Sequence, residues 1–204
     1  ILTVATLNSY HFLPKSVSNA TPTSAERIYE VIGHPTTGRI MMALMSFIDA
    51  FVAISPTVRN IYAEHGLNSN LIEVIPNMLD PSFSVPEIEK NNGERLLYVG
   101  ELSERKGVHD LLYALRMLPP KYTLRIVGDG ENADNLKKLA SKLGVAGRVT
   151  FTGRVPYEEI TKQYPSADVF VHPGIWPEPF GRTILEAMQA MLPVVCTNIG
   201  GPAD

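Results

Sequence analysis

The sequence predicts an α/β protein built on parallel sheets, and three observations carry that prediction. From Leu96 onward, strands at Leu96–Val99, Tyr122–Val127, Val149–Thr152, Asp168–His172 and Pro193–Thr197 alternate with helices at Val108–Leu118, Asn132–Leu143, Tyr157–Tyr164 and Arg182–Met191. Alternation at this spacing makes βαβ units, whose strands run parallel. The strands are also near-continuous apolar runs, the pattern of a sheet covered on both faces. Finally, the apolar signal fades between Asp80 and Gly93, where Pro81, Pro86, Asn91, Asn92 and Gly93 mark a linker. The expected domains are therefore residues 1–85 and 86–204.

The first domain reads less regularly. Ile1 to Leu7 is β-branched and apolar, a buried strand, with Asn8-Ser9-Tyr10-His11 at its carboxyl end. Pro14 to Thr37 is rich in Pro, Ser and Thr and reads as loop, with one helix around Ala25 to Val31. Gly38 to Phe47 reads as an apolar helix and Asp49 to Ile54 as a strand. Ser55-Pro56 then starts a helix, Ser as N-cap and Pro in the first turn; Gly66 stops it after His65. Leu71 to Ile75 is a strand closed by Pro76-Asn77.

Composition bounds the function. The 204 residues are 45% hydrophobic and 19% charged, enough to bury a core, and the net charge of −3 argues against a nucleic-acid partner held by bulk positive charge. The single cysteine, Cys196, lies in the apolar run Leu192–Cys196 and is expected to be a buried, reduced thiol, which points to the cytoplasm. Five scattered histidines without a cysteine cluster predict no zinc site. No apolar run reaches the roughly 18 residues of a membrane span, so no transmembrane helix is expected, and with no basic stretch before an apolar core no signal peptide is expected either. The chain begins on Ile1 within a strand and stops at Gly200-Gly201-Pro202-Ala203-Asp204, so a piece of a larger protein is expected.

The chemistry concentrates in Pro177 to Met188. Pro177, Pro179 and Gly181 forbid regular structure, and a helix follows from Arg182 to Met191. Glu178 thus sits in a rigid loop before a helix, with Glu186 about one turn inside it. Between them lie the unsatisfied amides near Gly181, Arg182 and Thr183, an anion site flanked by two carboxylates that suits a phosphorylated, polyhydroxylated ligand. A Pro-stopped loop with a cap glycine and an exposed helical glutamate reads the same residues without a ligand.

Other strand ends carry similar loops. Gly100-Glu101-Leu102-Ser103-Glu104-Arg105-Lys106-Gly107 places two cations beside a glycine at a helix start, either a diphosphate contact or a solvated turn. Gly128-Asp129-Gly130-Glu131-Asn132-Ala133 formally matches the permissive dinucleotide fingerprint. The next strand, however, ends at Thr152-Gly153 without the acidic residue which that fingerprint needs, and a tight strand–helix turn accounts for the glycines. Thr152-Gly153-Arg154-Val155-Pro156 presents backbone that could read a base edge. His172-Pro173-Gly174-Ile175-Trp176 offers a strand-end histidine and an indole that stacks on a ligand or covers core.

Glu178 and Glu186, with seven residues between them inside Glu-Pro-Phe-Gly-x-x-x-Leu-Glu-Ala-Met, resemble the E-x7-E signature of the retaining glycosyltransferases of family 4. The resemblance is ordered and wide. It takes in Ala53-Ile54-Ser55-Pro56-Thr57-Val58, Val74-Ile75-Pro76-Asn77, Tyr98-Val99-Gly100 through Lys106-Gly107, Val127–Gly130, Phe151–Gly153, Ala167–Val171 and Leu192–Val195 with Gly200-Gly201, most of Ile48 to Gly201.

The resemblance implies a GT-B fold of Rossmann-like domains. Here that means a nearly complete C-terminal donor domain, lacking its last elements, plus the trailing part of the N-terminal acceptor domain. It implies transfer of a hexose from a nucleoside-diphosphate sugar to a carbohydrate or lipid-linked acceptor, with no metal or other cofactor, and peripheral membrane contact in the full-length protein. Lys106, with Arg105 beside it, would contact the diphosphate, and the backbone of Gly153, Arg154 and Val155 would meet the base. Glu178 would act at the donor sugar, the amides of Phe180, Gly181, Arg182 and Thr183 would hold sugar and phosphates, and Glu186 would bind the ribose. Fixed positive groups would stabilise the leaving nucleoside diphosphate.

Three departures stand out. Glu101 occupies the place of an arginine that is a second phosphate contact in the family, so Arg105 would have to substitute. Asn8-Ser9 replaces a His-Asp pair. Asp204 ends the Gly-Gly-x-x-acid motif where glutamate is usual. The alternative to an active enzyme is a catalytically incomplete module of the same fold, binding a nucleotide or depending on a partner.

Overall fold

The computed structural model describes residues 2–9, 40, 42–81, 83–86 and 92–204. The loop expected over Pro14–Thr37, its helix around Ala25–Val31, and His11 lie outside them. The chain forms two compact units. The first comprises Ile1–Met78, Trp176–Gly181 and Asn198–Asp204, and the second Leu79–Ile175 and Arg182–Thr197.

In the first unit, β1 (Val4–Leu7), β2 (Ala50–Ala53) and β3 (Ile72–Val74) form a parallel sheet in that order. Val4 pairs with Ala50 and Phe51 with Ile72. Residues 42–45 are helical and the chain turns at 46–47, so the expected helix ends two residues early. Helix α1 (Pro56–Glu64) starts as expected: Ser55 is extended, its Oγ accepts from the Val58 amide at 3.2 Å, and Pro56 fills the first turn. Its Val58 and Tyr62 are buried with Leu7, Phe51, Ala53 and Ile72. The Tyr62 phenol donates to the Ser9 carbonyl at 2.6 Å, and burial pushes its pKa up to about 12. At the same helix start, Asp204 accepts from the Thr57 amide at 2.8 Å and from its hydroxyl at 2.9 Å, a second cap supplied from far along the chain.

The second unit holds β4 (Arg95–Val99), α2 (Val108–Met117), β5 (Thr123–Val127), α3 (Ala133–Lys142), β6 (Val149–Gly153), α4 (Tyr157–Ile160), β7 (Val169–His172), α5 (Arg182–Gln189) and β8 (Val194–Cys196). Its five strands are all parallel, ordered β6-β5-β4-β7-β8. Alternate residues of β4 serve the two faces. Leu96 and Tyr98 pack with Leu112, Leu115 and Leu136, whereas Leu97 and Val99 pack with Phe170, Ala187 and Leu192. This two-sided burial explains the unbroken apolar run.

An ion pair fixes β4 against β7 at their amino ends. Asp168 accepts from the amides of Glu94 and Arg95 at 3.0 and 2.9 Å and from Arg95 Nη2 at 2.9 Å, while its own amide donates to the Arg95 carbonyl at 2.8 Å.

Two further expectations are corrected. The helix expected over Tyr157–Tyr164 stops at Ile160, and Tyr164–Ser166 forms a 3₁₀ turn; Pro165 has no N–H to give the Thr161 carbonyl and its ring crowds that carbonyl, so the α pattern cannot run on through it. Cys196 is exposed rather than buried. It lies on β8, which among the described residues pairs only with β7, at the edge of the sheet, and its neighbour Val195 is 58% exposed.

Candidate functional site

Sheet order places a topological switch between β4 and β7: the chain proceeds outward from β4 through β5 to β6, then returns to the other side of β4. Ligands of open parallel sheets bind at the carboxyl ends of the strands beside such a point. The loop after β4 and the loop after β7 are tied together there. The Ile175 amide donates to the Arg105 carbonyl at 3.0 Å, and Gly107 has a φ of 67°, where an added Cβ would run into the Pro173 carbonyl. Gly107 ends the 3₁₀ turn Glu104–Lys106 and opens α2, so Arg105 and Lys106 are presented directly before that helix.

The loops after β4, β5 and β6 are joined by backbone hydrogen bonds: Gly100 N–H to the Val127 carbonyl at 3.0 Å, Leu102 N–H to the Asp129 carbonyl at 3.0 Å, and Gly128 N–H to the Gly153 carbonyl at 2.9 Å. Gly128 and Gly130 approach the backbone of Gly100 and Leu102 too closely for a side chain. The Gly-x-Gly of this loop thus serves loop packing, in keeping with a tight strand–helix turn. Together the three loops surround a pocket of about 600 Å³ lined by Gly100, Glu101, Gly128, Asp129, Gly130, Arg154, Val155 and neighbouring apolar residues. Arg154 and Val155 are therefore brought to the pocket at the carboxyl edge of the sheet, with Gly153 just before them at a φ of 73°.

Glu101 does not stand alone at that pocket. Its Oε2 lies 3.3 Å from Arg105 Nη2 and 3.4 Å from Ser103 Oγ. The guanidinium offsets that negative charge within the same loop.

Glu186 is 4% exposed, on α5. The reading of an exposed helical glutamate is excluded by that burial. Its Oε2 accepts a 2.6 Å hydrogen bond from the fully buried Tyr164 phenol. Burial raises the Glu186 pKa, against the opposing pull of the Tyr164 hydrogen bond and the Arg182 charge. Desolvation, then the Glu186 charge and hydrogen bond, push the Tyr164 phenol far up, so it stays protonated. Arg182 and Thr183 open α5, Arg182 exposed and Thr183 half-buried.

Glu178, Phe180 and Gly181 belong to the first unit. Trp176 Nε1 donates to Glu178 Oε2 at 3.0 Å, and Trp176 and Phe180 pack on that unit's core. Of the two readings for Trp176, core cover holds, and the indole also clasps the carboxylate. The Glu178 carbonyl accepts from the Gly201 amide at 2.7 Å; Gly200 (φ 74°) and Gly201 pass so close to Glu178 and Pro179 that neither could carry a Cβ. This contact accounts for the Gly-Gly pair. The unit also has a pocket of about 370 Å³ lined by Thr6, Asn8, Ser9, Met45, Tyr62 and adjacent apolar residues.

Sequence reasoning missed Tyr164 as the partner of Glu186 and Trp176 as the partner of Glu178. Tyr164 lies 22 residues from Glu186, and no local pattern announces such a pair. Among the described residues, no three His, Cys, Asp or Glu side chains converge as a metal site, and no helix is long and apolar enough to cross a membrane.

Residues 82–204 match the family model for glycosyl transferases group 1. The chain is 44% identical over 108 residues to the lipopolysaccharide core biosynthesis glycosyltransferase LpsE of Rhizobium meliloti, covering 52% of this chain and 30% of LpsE. It is 42% identical over 109 residues to the glycogen synthase of Mycobacterium tuberculosis, covering 52% and 26%. Among solved structures, Anabaena HepE in complex with UDP and glucose superposes with a TM-score of 0.79 at 25% identity, covering 99% of this chain and 54% of HepE. Sucrose-phosphate synthase from Thermosynechococcus elongatus, at 22% identity and a TM-score of 0.78, shares the fold, covering 97% and 50%. The chain thus spans under a third of these curated relatives and about half of the solved ones, and its parallel sheets are of the GT-B type. With the family model covering nearly all of the linker and everything from β4 to Asp204, the chain belongs to the glycosyl transferases group 1 family.

Proposed function

We propose that this chain is the donor-binding part, with a trailing portion of the acceptor side, of a retaining glycosyltransferase of family 4. It would move a hexose from a nucleoside-diphosphate sugar to a carbohydrate or lipid-linked acceptor in the cytoplasm, without a metal. The observation that carries this reading is the pocket of about 600 Å³ at the carboxyl ends of β4, β5 and β6, framed by glycine loops and bordered by Arg154 and Val155. In the proposal the backbone of Gly153, Arg154 and Val155 meets the base and Glu186 the ribose. Arg105 and Lys106, at the start of α2, take the diphosphate, and the amides of Phe180, Gly181, Arg182 and Thr183 hold sugar and phosphate. Glu178 is the catalytic carboxylate at the donor sugar, with Trp176 fixing its orientation. Cations and amides already in place would stabilise the charge that develops on the leaving diphosphate, work that needs no reorganisation during the reaction.

That HepE is solved with UDP and glucose supports testing a uridine donor first. Saturation-transfer NMR with UDP-glucose should show transfer to both base and hexose protons, and competition by UDP should abolish it. Retention is tested on the full-length protein: the first free or transferred sugar should keep the donor's anomeric configuration, and inversion would refute the E-x7-E assignment. Glu101, whose carboxylate lines the pocket where a phosphate contact is proposed, supports one second reading, a nucleotide-binding module that is catalytically incomplete by itself. Nucleotide binding without sugar release by this chain fits that reading, and turnover by this chain alone refutes it.

A further inference from the structure

We propose that Tyr164 is a positioning residue for nucleotide recognition: its phenol holds the Glu186 carboxylate in the one orientation that can receive the ribose hydroxyls. The inference rests on the assignment of Glu186 to the ribose and deepens it.

The geometry is specific. Tyr164 lies in the 3₁₀ turn before β7, and its ring is wedged between Phe83, edge-on with centroids 6.1 Å apart, and Phe170, tilted at the same separation. Packing on both sides leaves the phenol oxygen one position, and there it donates to Glu186 Oε2 at 2.6 Å. A glutamate has three side-chain torsions and a carboxylate that spins about the last. One short hydrogen bond from a rigid donor removes that freedom. It engages a single oxygen of a group with about four acceptor sites, so acceptor capacity remains for a ligand. Burying a carboxylate is expensive unless it is hydrogen-bonded, and a buried acid with a dedicated donor is the expected form of a preorganised ligand contact. The charged or titratable groups acting on the carboxylate are Tyr164, from the turn before β7, and Arg182, one turn back on α5.

The test is discrimination between ribose and dideoxyribose, which a merely structural role would leave unchanged. Uridine, guanosine and adenosine diphosphates are each paired with their 2′,3′-dideoxy forms and titrated into wild type, Tyr164→Phe and Glu186→Gln. Phenylalanine keeps the packing and removes only the donor. Wild type should prefer the ribose form of the nucleotide it binds by about tenfold or more, the scale of a hydrogen bond to a charged acceptor. Tyr164→Phe should lose most of that preference by weakening the ribose form alone. If Glu186→Gln keeps the full preference, the ribose assignment of Glu186 fails, and this inference with it. If Glu186→Gln loses the preference but Tyr164→Phe keeps it, only the positioning role fails. Should Tyr164→Phe not fold by circular dichroism, Phe83→Leu, which removes one of the two rings that hold the phenol and leaves Glu186 untouched, takes its place. Retained preference there overturns the proposal, and lost preference with retained binding of the dideoxy form supports it.

Discussion

Arg105 Nη2 lies 3.3 Å from Glu101 Oε2 on the loop that follows the central strand β4. Both side chains are partly exposed, 35% and 52%, so the pair itself adds little to stability. Its consequence is for charge: on the proposed reading a diphosphate must draw Arg105 away from Glu101. Glu101→Gln should therefore tighten nucleoside-diphosphate binding roughly two- to fivefold at low salt, and the gain should shrink in 0.5 M salt as screening shortens to about a few ångströms. Calorimetry at two salt concentrations checks this. Weaker binding by Glu101→Gln would mean the carboxylate itself contacts the ligand.

Asp168 fixes β4 to β7. The Arg95 guanidinium, aided by the Glu94 and Arg95 amides, holds its carboxyl below the usual aspartate range. A depressed pKa stabilises the fold above the ordinary value of 3.8 and is lost as pH falls through the lower folded value. Asp168→Asn should cost about 1.5–3 kcal/mol at neutral pH, from hydrogen bonds to a charged group. The wild-type advantage in Tm should stay level from pH 7 to 5 and narrow only in stronger acid.

Glu186 has the opposite sign. Its pKa is raised by burial, so its contribution is most favourable below the ordinary value of 4.5 and is lost as pH rises through the higher folded value. Glu186→Gln, which keeps a partner for Tyr164, should gain in Tm relative to wild type as pH climbs through that window and then plateau. Thermal unfolding from pH 4 to 8 reads the trend. A gain that falls with pH would mean the carboxylate is stabilised as the anion.

Gly107 couples the loop of Arg105 and Lys106 to the loop after β7. With its φ of 67° and the Pro173 carbonyl in the way of any Cβ, Gly107→Ala should cost about 1–3 kcal/mol or more, the scale of a strained backbone residue. It should also weaken nucleotide binding beyond what stability explains. Unfolding in denaturant and calorimetry on the same sample separate the two effects.

Much of this architecture is written locally. Ser55-Pro56 caps α1 because a capping oxygen and a fixed φ act within three residues, and the β4 run Leu96–Val99 is apolar because both its faces are covered. The glycines after β4, β5 and β7 could be recognised as turns, but not which carbonyls they approach. What stayed hidden depends on partners distant in sequence. Tyr164 meets Glu186 across 22 residues, Asp204 caps α1 across 147, and Gly200 and Gly201 lie on Glu178 and Pro179. Cys196 reads as buried because its segment is apolar; its place on an edge strand follows from sheet order, which no window of sequence contains.

On the proposed reading the second unit binds a nucleoside diphosphate through the starts of α2 and α5. Calorimetry of the chain with uridine, guanosine and adenosine diphosphates, repeated with Lys106→Ala, tests it most directly. At least one of the three should bind, and Lys106→Ala should weaken it by about tenfold or more, the loss of a charge-assisted contact. Binding of none of the three, or equal binding by the variant, would contradict it.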